Sequence, residues 1–299
     1  MNAIVVPCSS KYTYALNTLL NGADYYGNTA EIHILWWGGR SDLCNEFFDK
    51  LELVRDSLGF KVKIIDLKEF LKDKQPRIPD VGWSCKFGRW RYCIHLGEQG
   101  YSSICCTGAD VAIAHNIMPW IQFVDNSDYL LCGRNIAGGF RFDFKKRDAC
   151  TSGPPYADAP FFVDPIKHKV LLEHLYAIGQ QHDMGDLAAF NYAVDETNYH
   201  DKLVLLPDIL WLRNSAGLIA DNVLFMDILG KQHLVSQLTK QRLHMVHGKW
   251  FMKAVRDKYT RGDMTSNKTG AKNPVVFHEF HKFFNSEWKL KLTLNPTHF

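Results

Sequence analysis

The stretch ICCTGADVAIAHNI, residues 104–117, places one carboxylate between two short apolar runs. The first run ends at Cys106 and the second begins at Val111, and short apolar runs separated by a glycine-containing turn are typical of buried strands. Asp110 is the only charged residue between them. An aspartate that follows a strand is usually a turn former or a helix cap. The alternative is a carboxylate held at the mouth of a binding site, and the rest of the chain bears on that choice.

Strands and helices alternate on the N-terminal side of this stretch. The sequence predicts strands at residues 3–6, 31–37, 61–67 and 102–106, and helices at 14–20, 43–58 and 87–97. This alternation indicates βαβ units and therefore an α/β fold, with a mainly parallel central sheet flanked by helices. Ligands bind outside the carboxyl ends of the strands in such sheets. We therefore expect residues 7–12 and 107–110, which both follow strands, to line one crevice.

The second half of the chain is less regular. Residues 133–160 contain seven Gly or Pro and many charges, which predicts a long excursion over the sheet or a lid. A strand at 161–164 and a helix at 170–178 follow, and GDLAAFN begins another helix, in which Asp186 either caps the N-terminus or lines the crevice. No internal repeat and no distinct linker forces a domain boundary.

Composition narrows the class of protein. With 299 residues, of which 46% are hydrophobic and 22% charged, the chain can bury a full core and is not disordered. The eight cysteines include no CxxC pair, which favours a reducing compartment. The N-terminus has no basic region that would indicate a signal peptide, and no apolar run is long enough to span a membrane. We expect a cytoplasmic location, which for a viral protein is the host cytoplasm.

The net charge of +3 is unevenly distributed. Residues 231–299 contain thirteen Lys/Arg and four Asp/Glu, a balance of +9, so residues 1–230 carry −6. The cations of the C-terminal segment alternate with aromatic residues, a mixture that suits nucleic acid, an anionic membrane surface or a nucleoside diphosphate. The alternative is a solvated face that covers an ordinary aromatic core. Dinucleotide-binding, P-loop, zinc-protease and serine-hydrolase motifs are missing from the sequence.

Four segments together resemble a known family. They are IVVPCSSKYTYALNTLL at 4–20, KFGRWRYCIHL at 86–96, TGADVAIAHNI at 107–117 and GDLAAFN at 185–191. In this order they resemble landmarks of the nucleotide-sugar glycosyltransferases of the GT-A fold, in particular the galactosyltransferase and glycogenin-like group. The resemblance covers most of residues 3–250. It implies a Rossmann-like catalytic domain at 1–250 and a basic, aromatic extension at 251–299 that packs on it.

On the donor side, the resemblance implies a site for a nucleoside diphosphate sugar. Tyr12 corresponds to the aromatic residue that stacks on the base, and the loop before it holds the same base. Arg89 corresponds to the arginine that faces the sugar and the diphosphate. The full set of donor-binding residues implied in this way is Pro7, Cys8, Ser9, Tyr12, Lys86, Arg89 and Lys249.

The resemblance also implies a divalent metal. Asp110 matches the second aspartate of the family's Asp-x-Asp element, a direct metal ligand, but Gly108 replaces the first. His247, in HMVHGKW, matches a metal-binding histidine, and His244 competes for that assignment. Carboxylate oxygens hold Mn²⁺ or Mg²⁺, and Mn²⁺ also accepts imidazole. Either Asp110, His247 and the diphosphate hold the ion, or Lys86, Arg89 and Lys249 neutralise the diphosphate and the metal is dispensable.

On the acceptor side, Asp186 and Asn191 match two residues of a family signature, and Leu187 stands where the family has glutamine. The resemblance thus predicts transfer of a sugar to an acceptor hydroxyl, either on a glycan or on a modified base in phage DNA. The alternative is a nucleotide- or glycan-binding module that kept the fold and lost the chemistry together with the carboxylate missing at Gly108.

Overall fold

The computed structural model describes residues 1–9, 12–37, 42–72, 81–134, 141–143, 148–150, 156–181, 185–207, 211–213, 222–247 and 274–291. The strands are β1 (Asn2–Cys8), β2 (Glu31–Trp36), β3 (Val62–Asp66), β4 (Ser103–Cys106), β5 (Val111–Ile113), β6 (Leu130–Arg134), β7 (Arg141–Asp143), β8 (Asp148–Cys150), β9 (Tyr156–Val163), β10 (Leu203–Leu205), β11 (Trp211–Arg213), β12 (Val223–Ile228), β13 (Lys231–Ser236) and β14 (Met245–His247). The helices are α1 (Thr13–Tyr25), α2 (Asp42–Val54), α3 (Leu67–Leu71), α4 (Val81–Glu98), α5 (Met118–Asp125), α6 (Lys169–Gln181), α7 (Asp186–Glu196) and α8 (Pro274–Ser286).

Seven strands form the central sheet, in the order β10-β6-β9-β4-β1-β2-β3. Neighbouring strands are parallel except where β9 pairs antiparallel with β4 and β6. The structure therefore confirms the predicted α/β class with a mainly parallel sheet. It also lengthens several predicted elements: α4 begins at Val81 where the sequence predicted residue 87, and the strand predicted at 161–164 begins at Tyr156.

The apolar run of β1 is explained by burial on both faces of the sheet. Ile4 and Val6 pack on the side that holds α1, α2 and α5, whereas Ala3 and Val5 pack on the side that holds α4, α6 and α7. All four side chains are fully buried. A central strand covered on both faces cannot carry alternating polar residues, which is why this segment is continuously apolar.

The strands diverge at the carboxyl end of β1. The ladder between β1 and β4 ends at Val5 and Cys106, whereas the ladder between β1 and β2 continues to Cys8. Pro7 lies beyond the last pair with β4, where its missing N–H group breaks no bond of that ladder. The order β2-β1-β4 also makes this the point where the chain reverses its direction of travel across the sheet. Open α/β sheets bind ligands at such a point.

A second sheet brings the C-terminal half of the chain to this edge. It has the order β11-β14-β5, and β14 runs antiparallel to β5. In this register His247 lies opposite Val111, the residue that follows Asp110. Long-range strand pairing thus places a histidine from the late part of the sequence beside the aspartate of the opening stretch.

The C-terminal segment packs on α1 through buried amide side chains. Asn21 donates from Nδ2 to the carbonyl oxygens of Phe284 (2.6 Å) and Leu290 (3.0 Å), and its Oδ1 accepts from the Leu290 N–H at 3.1 Å. Asn17 bonds Asn285 at 2.6 Å. Aromatic side chains of this segment also pack together with Tyr25: Phe283, Phe284 and Trp288. These aromatic side chains belong to the core of the protein, which agrees with the alternative interpretation that the C-terminal segment covers an aromatic core.

Other sequence expectations for this region stay open. Trp250, Phe251 and Tyr259 lie outside the described residues, and the domain division at residue 250 and the contact with an anionic partner stay predictions. Of the predicted excursion at 133–160, the structure describes the β7–β8 hairpin and the ends of β6 and β9. Among the described helices, none combines the length and the apolarity that crossing a bilayer requires.

We predict that Asn21→Leu lowers the free energy of unfolding by about 3 kcal/mol, because it keeps the volume but removes the partner of the buried Phe284 carbonyl and Leu290 N–H, while the Leu290 carbonyl keeps its bond from Asn17. Urea unfolding would measure the loss. Asn126→Ala is the matched control, since the side chain of Asn126 is exposed and makes one bond to Gln122. Equal unfolding midpoints for the two variants would contradict the prediction.

Candidate active site

Asp110 and His247 form a pair at the carboxyl edge of the sheet. Nε2 of His247 lies 3.4 Å from Oδ2 of Asp110, and the two side chains are 23% and 17% exposed. The turn after β4 positions the aspartate, and the last residue of β14 positions the histidine. Two residues far apart in sequence, both predicted as metal ligands, therefore share one partly open site.

The geometry of this pair fits a shared divalent ion. Two ligand atoms that each lie about 2.1 Å from one ion, at a right angle, are about 3 Å apart. Within the described residues, no third His, Cys, Asp or Glu joins them in a group that could hold a metal. The protein would thus supply one oxygen and one nitrogen, and the other positions would be left to oxygen atoms of a ligand.

Gly108 lies directly against this pair. A Cβ atom built on Gly108 would meet Oδ1 of Asp110 at 2.8 Å. A side chain at this position would therefore have to displace the Asp110 carboxylate, so the close approach of the two residues favours glycine here. The hydroxyl of the preceding Thr107 is buried and has no hydrogen-bond partner among the described residues.

The structure separates the two histidines that competed for the metal. His244 is stacked between His115 and Trp120, with ring centroids 4.5 and 4.8 Å away. Burial, with smaller contributions from His115 and Arg242, lowers the pKa of His244 to about 4. It is His247 that reaches Asp110, so His247 is the better candidate ligand.

Arg89 forms a second group of charges. Its guanidinium is 2% exposed, and its Nη2 lies 2.5 Å from Oδ2 of Asp158 and 3.5 Å from Oδ2 of Asp186. Its Cζ also lies 4.3 Å from the centre of the Trp90 ring. Burial alone would lower the pKa of Arg89, but the carboxylates of Asp158 and Asp186 outweigh it and raise that pKa above the ordinary value. The cation is permanent, and two carboxylates more than balance it.

Asp158 was not among the residues predicted from the sequence. It lies near the start of β9, in YADAPFFV, and β9 runs antiparallel to β4. The start of β9 therefore reaches the same edge of the sheet as the end of β4. The signal in the sequence was an acidic residue inside an otherwise apolar strand, since a charge is rarely placed there unless it is paired.

The start of α7 positions Asp186 and Asn191. Gly185 is the N-cap residue, and Asp186 is the first helical residue, where the helix dipole favours a carboxylate. The capping role considered for Asp186 therefore falls to Gly185, and Asp186 faces Arg89. Asn191 bonds both backbone groups of Tyr156, accepting from its N–H at 3.1 Å and donating to its carbonyl at 2.9 Å. This fixes the start of β9 two residues from Asp158.

Tyr12 follows β1 and adjoins the apolar cluster that includes the neighbours of Asp110. Tyr12 is partly buried, and its N–H donates to the carbonyl of Ser9 at 2.9 Å. The Tyr12 ring packs against the same apolar cluster as Ala109 and Val111, the two neighbours of Asp110. The first loop and the Asp110 turn thus adjoin one cluster of side chains.

Some of the other predicted donor-binding residues lie outside the part of the chain that the structure describes. Cys8 is buried at the end of β1, and Pro7 precedes it in the strand. Lys86 lies in α4, one turn before Arg89, but its side chain is outside the described residues, as is the whole of Lys249. The donor-binding roles of these residues stay predictions.

Comparison with solved structures identifies the fold. The bifunctional glycosyltransferase WbbM, in its apo form, superimposes with a TM-score of 0.58 at 9% identity, over 94% of this chain and 51% of WbbM. The galactosyltransferase LgtC, in complex with donor and acceptor sugar analogs, gives a TM-score of 0.53 at 12% identity, over 100% of this chain and 98% of LgtC. An active-site mutant of LgtC gives 0.50 at 13% identity, over 89% and 96%.

Sequence comparison adds nothing to these similarities, since no protein-family description and no curated protein matches the chain. This chain spans about half the length of WbbM and nearly all of LgtC. The similarity in structure, at such low identity, establishes the architecture of the chain. It has the GT-A fold of glycosyltransferases, in a divergent form.

Proposed function

We propose that this protein transfers a sugar from a nucleoside diphosphate donor to an acceptor hydroxyl. The observation that carries the proposal is the 3.4 Å approach of His247 to Asp110 at the carboxyl edge of the sheet. The family resemblance selects both residues as metal ligands from the sequence alone. Their proximity supports that selection, because nothing in their spacing along the chain requires it.

The charges of the site favour the metal-dependent alternative. Neutralisation of the diphosphate without a metal would need fixed cations that are available to the donor. Arg89, the described member of that set, is already engaged by Asp158 and Asp186. Asp110 and His247 would hold Mn²⁺ or Mg²⁺, and the ion would supply positive charge next to the diphosphate.

The proposed donor site divides into three parts. Tyr12, with the backbone of residues 7–9, binds the base. The Asp110–His247 pair, with Lys86 and Lys249, meets the diphosphate. Asp158 and Asp186, held in place by Arg89, face the sugar, whose hydroxyl groups donate hydrogen bonds to carboxylates. In this arrangement Arg89 is a positioning residue, and Asn191 acts through the start of β9.

Thermal unfolding tests the donor site directly. We predict that UDP or GDP with Mn²⁺ raises the unfolding temperature by roughly 5 °C at about 100 times the Kd, since a ligand that binds only the native state stabilises it. Omission of Mn²⁺ should remove most of the shift. Turnover is then followed as slow hydrolysis of a panel of nucleotide sugars. Failure of every nucleotide and nucleotide sugar, with and without Mn²⁺, would reject the proposal.

For the acceptor, we propose a glycan hydroxyl or a modified base in phage DNA, since the positive balance of residues 231–299 suits a phosphate-rich partner. Affinity for duplex DNA that does not fall with added salt would count against the DNA acceptor, because phosphate contacts release counterions.

Gly108 motivates a second candidate, a non-catalytic nucleotide- or glycan-binding module. Gly108→Asp separates the two: if the missing carboxylate alone abolished catalysis, this variant should gain turnover that the unsubstituted protein lacks. Turnover by the unsubstituted protein would exclude the module.

A further inference from the structure

The turn between β12 and β13 carries a leucine where local structure favours another residue. Leu229 is 97% exposed and has φ +55°, and Gly230 follows with φ +79°. Two-residue hairpin turns with positive φ at both positions strongly prefer Asn-Gly or Asp-Gly. A bulky side chain in this region of φ is rare because of its steric cost. Neither burial nor turn geometry therefore accounts for the leucine.

Other exposed apolar side chains lie on β12 and in the turn after β13. Leu224 and Met226 lie two residues apart on β12 and are each 40% exposed, and Leu238, in the turn after β13, is 54% exposed. Phe225, between Leu224 and Met226, faces the other way and packs on Phe280 and Phe283 of α8, with ring centroids 5.6 and 5.8 Å away. Phe225 thus holds β12 to the body of the protein, and Leu224 and Met226 point to the other side of that strand, where their partners on β13, Val235 and His233, are buried.

Basic residues dominate the charge of the hairpin segment. Lys231 directly follows the turn, and Lys240 and Arg242 lie in the segment after β13. Asp227 is the only acidic residue in 222–247, and its carboxylate accepts the Gly230 N–H at 2.9 Å inside the turn. The hairpin segment therefore carries three Lys/Arg against one Asp.

We propose that the β12–β13 hairpin docks on an anionic phospholipid bilayer, with Leu229 inserted among the acyl chains and Lys231 at the headgroups. An exposed leucine suits the apolar acyl chains of a bilayer, and a lysine next to it in the chain suits the anionic headgroups at the surface. A protein partner fits less well, because a specific interface needs about 800 Å² on each side and is usually anchored by aromatic residues or arginine. Four separate aliphatic side chains do not supply this.

The hairpin is close in sequence to the candidate site. After β13, Arg242 forms an isolated antiparallel bridge with Val235. Three residues later the chain begins β14, which ends at His247. A short segment of chain therefore connects the hairpin to the strand that carries the candidate metal ligand. Presentation of a lipid-linked acceptor rests on the proposed function, whereas bilayer binding does not.

Vesicle co-sedimentation of the full chain tests the proposal. We expect binding to vesicles of phosphatidylcholine mixed with phosphatidylglycerol and little binding to phosphatidylcholine alone. Leu229→Asn should weaken binding about tenfold. Lys231→Gln should weaken it about fivefold. The matched control is Leu53→Asn on α2, where the leucine is 86% exposed but distant in sequence from the hairpin, and it should bind as the unsubstituted protein does.

Asparagine suits the conformation at position 229, so Leu229→Asn should unfold at the same temperature as the unsubstituted chain or higher, and a loss of binding would not reflect misfolding. Equal binding of Leu229→Asn and Leu53→Asn would overturn the proposal. A dimer in sedimentation equilibrium that Leu229→Asn dissociates would also overturn it, and would assign the hairpin to a second copy of the chain. Loss of bilayer binding with nucleotide affinity unchanged would support docking whether or not the protein transfers sugars.

Discussion

Asp110→Asn is expected to lower Mn²⁺-supported turnover of a nucleotide sugar by roughly 100-fold or more. The substitution keeps the size of the side chain but removes the negative charge that lies 3.4 Å from His247 in the candidate site. Lewis-acid stabilisation of a leaving group contributes several kcal/mol, and about 1.4 kcal/mol corresponds to a factor of ten in rate. The primary readout is initial rate against Mn²⁺ concentration, with the nucleotide sugar in excess.

Manganese binding gives a second readout that does not depend on turnover. Electron paramagnetic resonance of free Mn²⁺ should show weaker binding by Asp110→Asn and, to a smaller extent, by His247→Gln, because the imidazole contributes no charge. Asp128→Asn is the matched control, since the side chain of Asp128 is 82% exposed and lies 3.9 Å from Lys167 in the segment between α5 and β6. Unchanged Mn²⁺ affinity in Asp110→Asn would remove Asp110 from the metal site and leave the metal-independent alternative.

The N-terminal half of the fold could be predicted because its signals are local. Apolar runs with β-branched residues marked β1 to β4, and helical spacing marked α1 and α2. No pattern in residues 222–247 predicts a strand. There β14 is three residues long, and β12 alternates exposed and inward-facing apolar side chains, so neither gives a clear period. Short strands of this kind are specified by their partners in the sheet.

The candidate site shows the same division between local and long-range information. Asp110 stands out in the sequence because it interrupts an apolar pattern. Its partner was weighed between His244 and His247, and only the register of β14 against β5 puts His247 beside Val111. Asp158 was missed altogether, since the guanidinium that pairs with it comes from α4, 69 residues earlier in the chain.

The buried charges around Arg89 lead to the second large prediction, which concerns stability. Arg89→Met is expected to lower the free energy of unfolding by about 3–5 kcal/mol, because it leaves Asp158 and Asp186 facing one another without the cation that both contact. Urea unfolding followed by circular dichroism would measure the difference.

Arg91→Met is the matched control on the same helix, because Arg91 is 25% exposed and reaches Glu98 only at 4.0 Å. An exposed pair of this kind contributes at most about 1 kcal/mol. Adding Asp158→Asn to Arg89→Met should recover part of the loss, since one of the two uncompensated carboxylates is then neutral. If Arg89→Met unfolds within about 1 kcal/mol of Arg91→Met, the carboxylates do not depend on Arg89. Some other interaction would then hold Asp158 and Asp186 together at the edge of the sheet. The positioning role proposed for Arg89 in the donor site would be wrong.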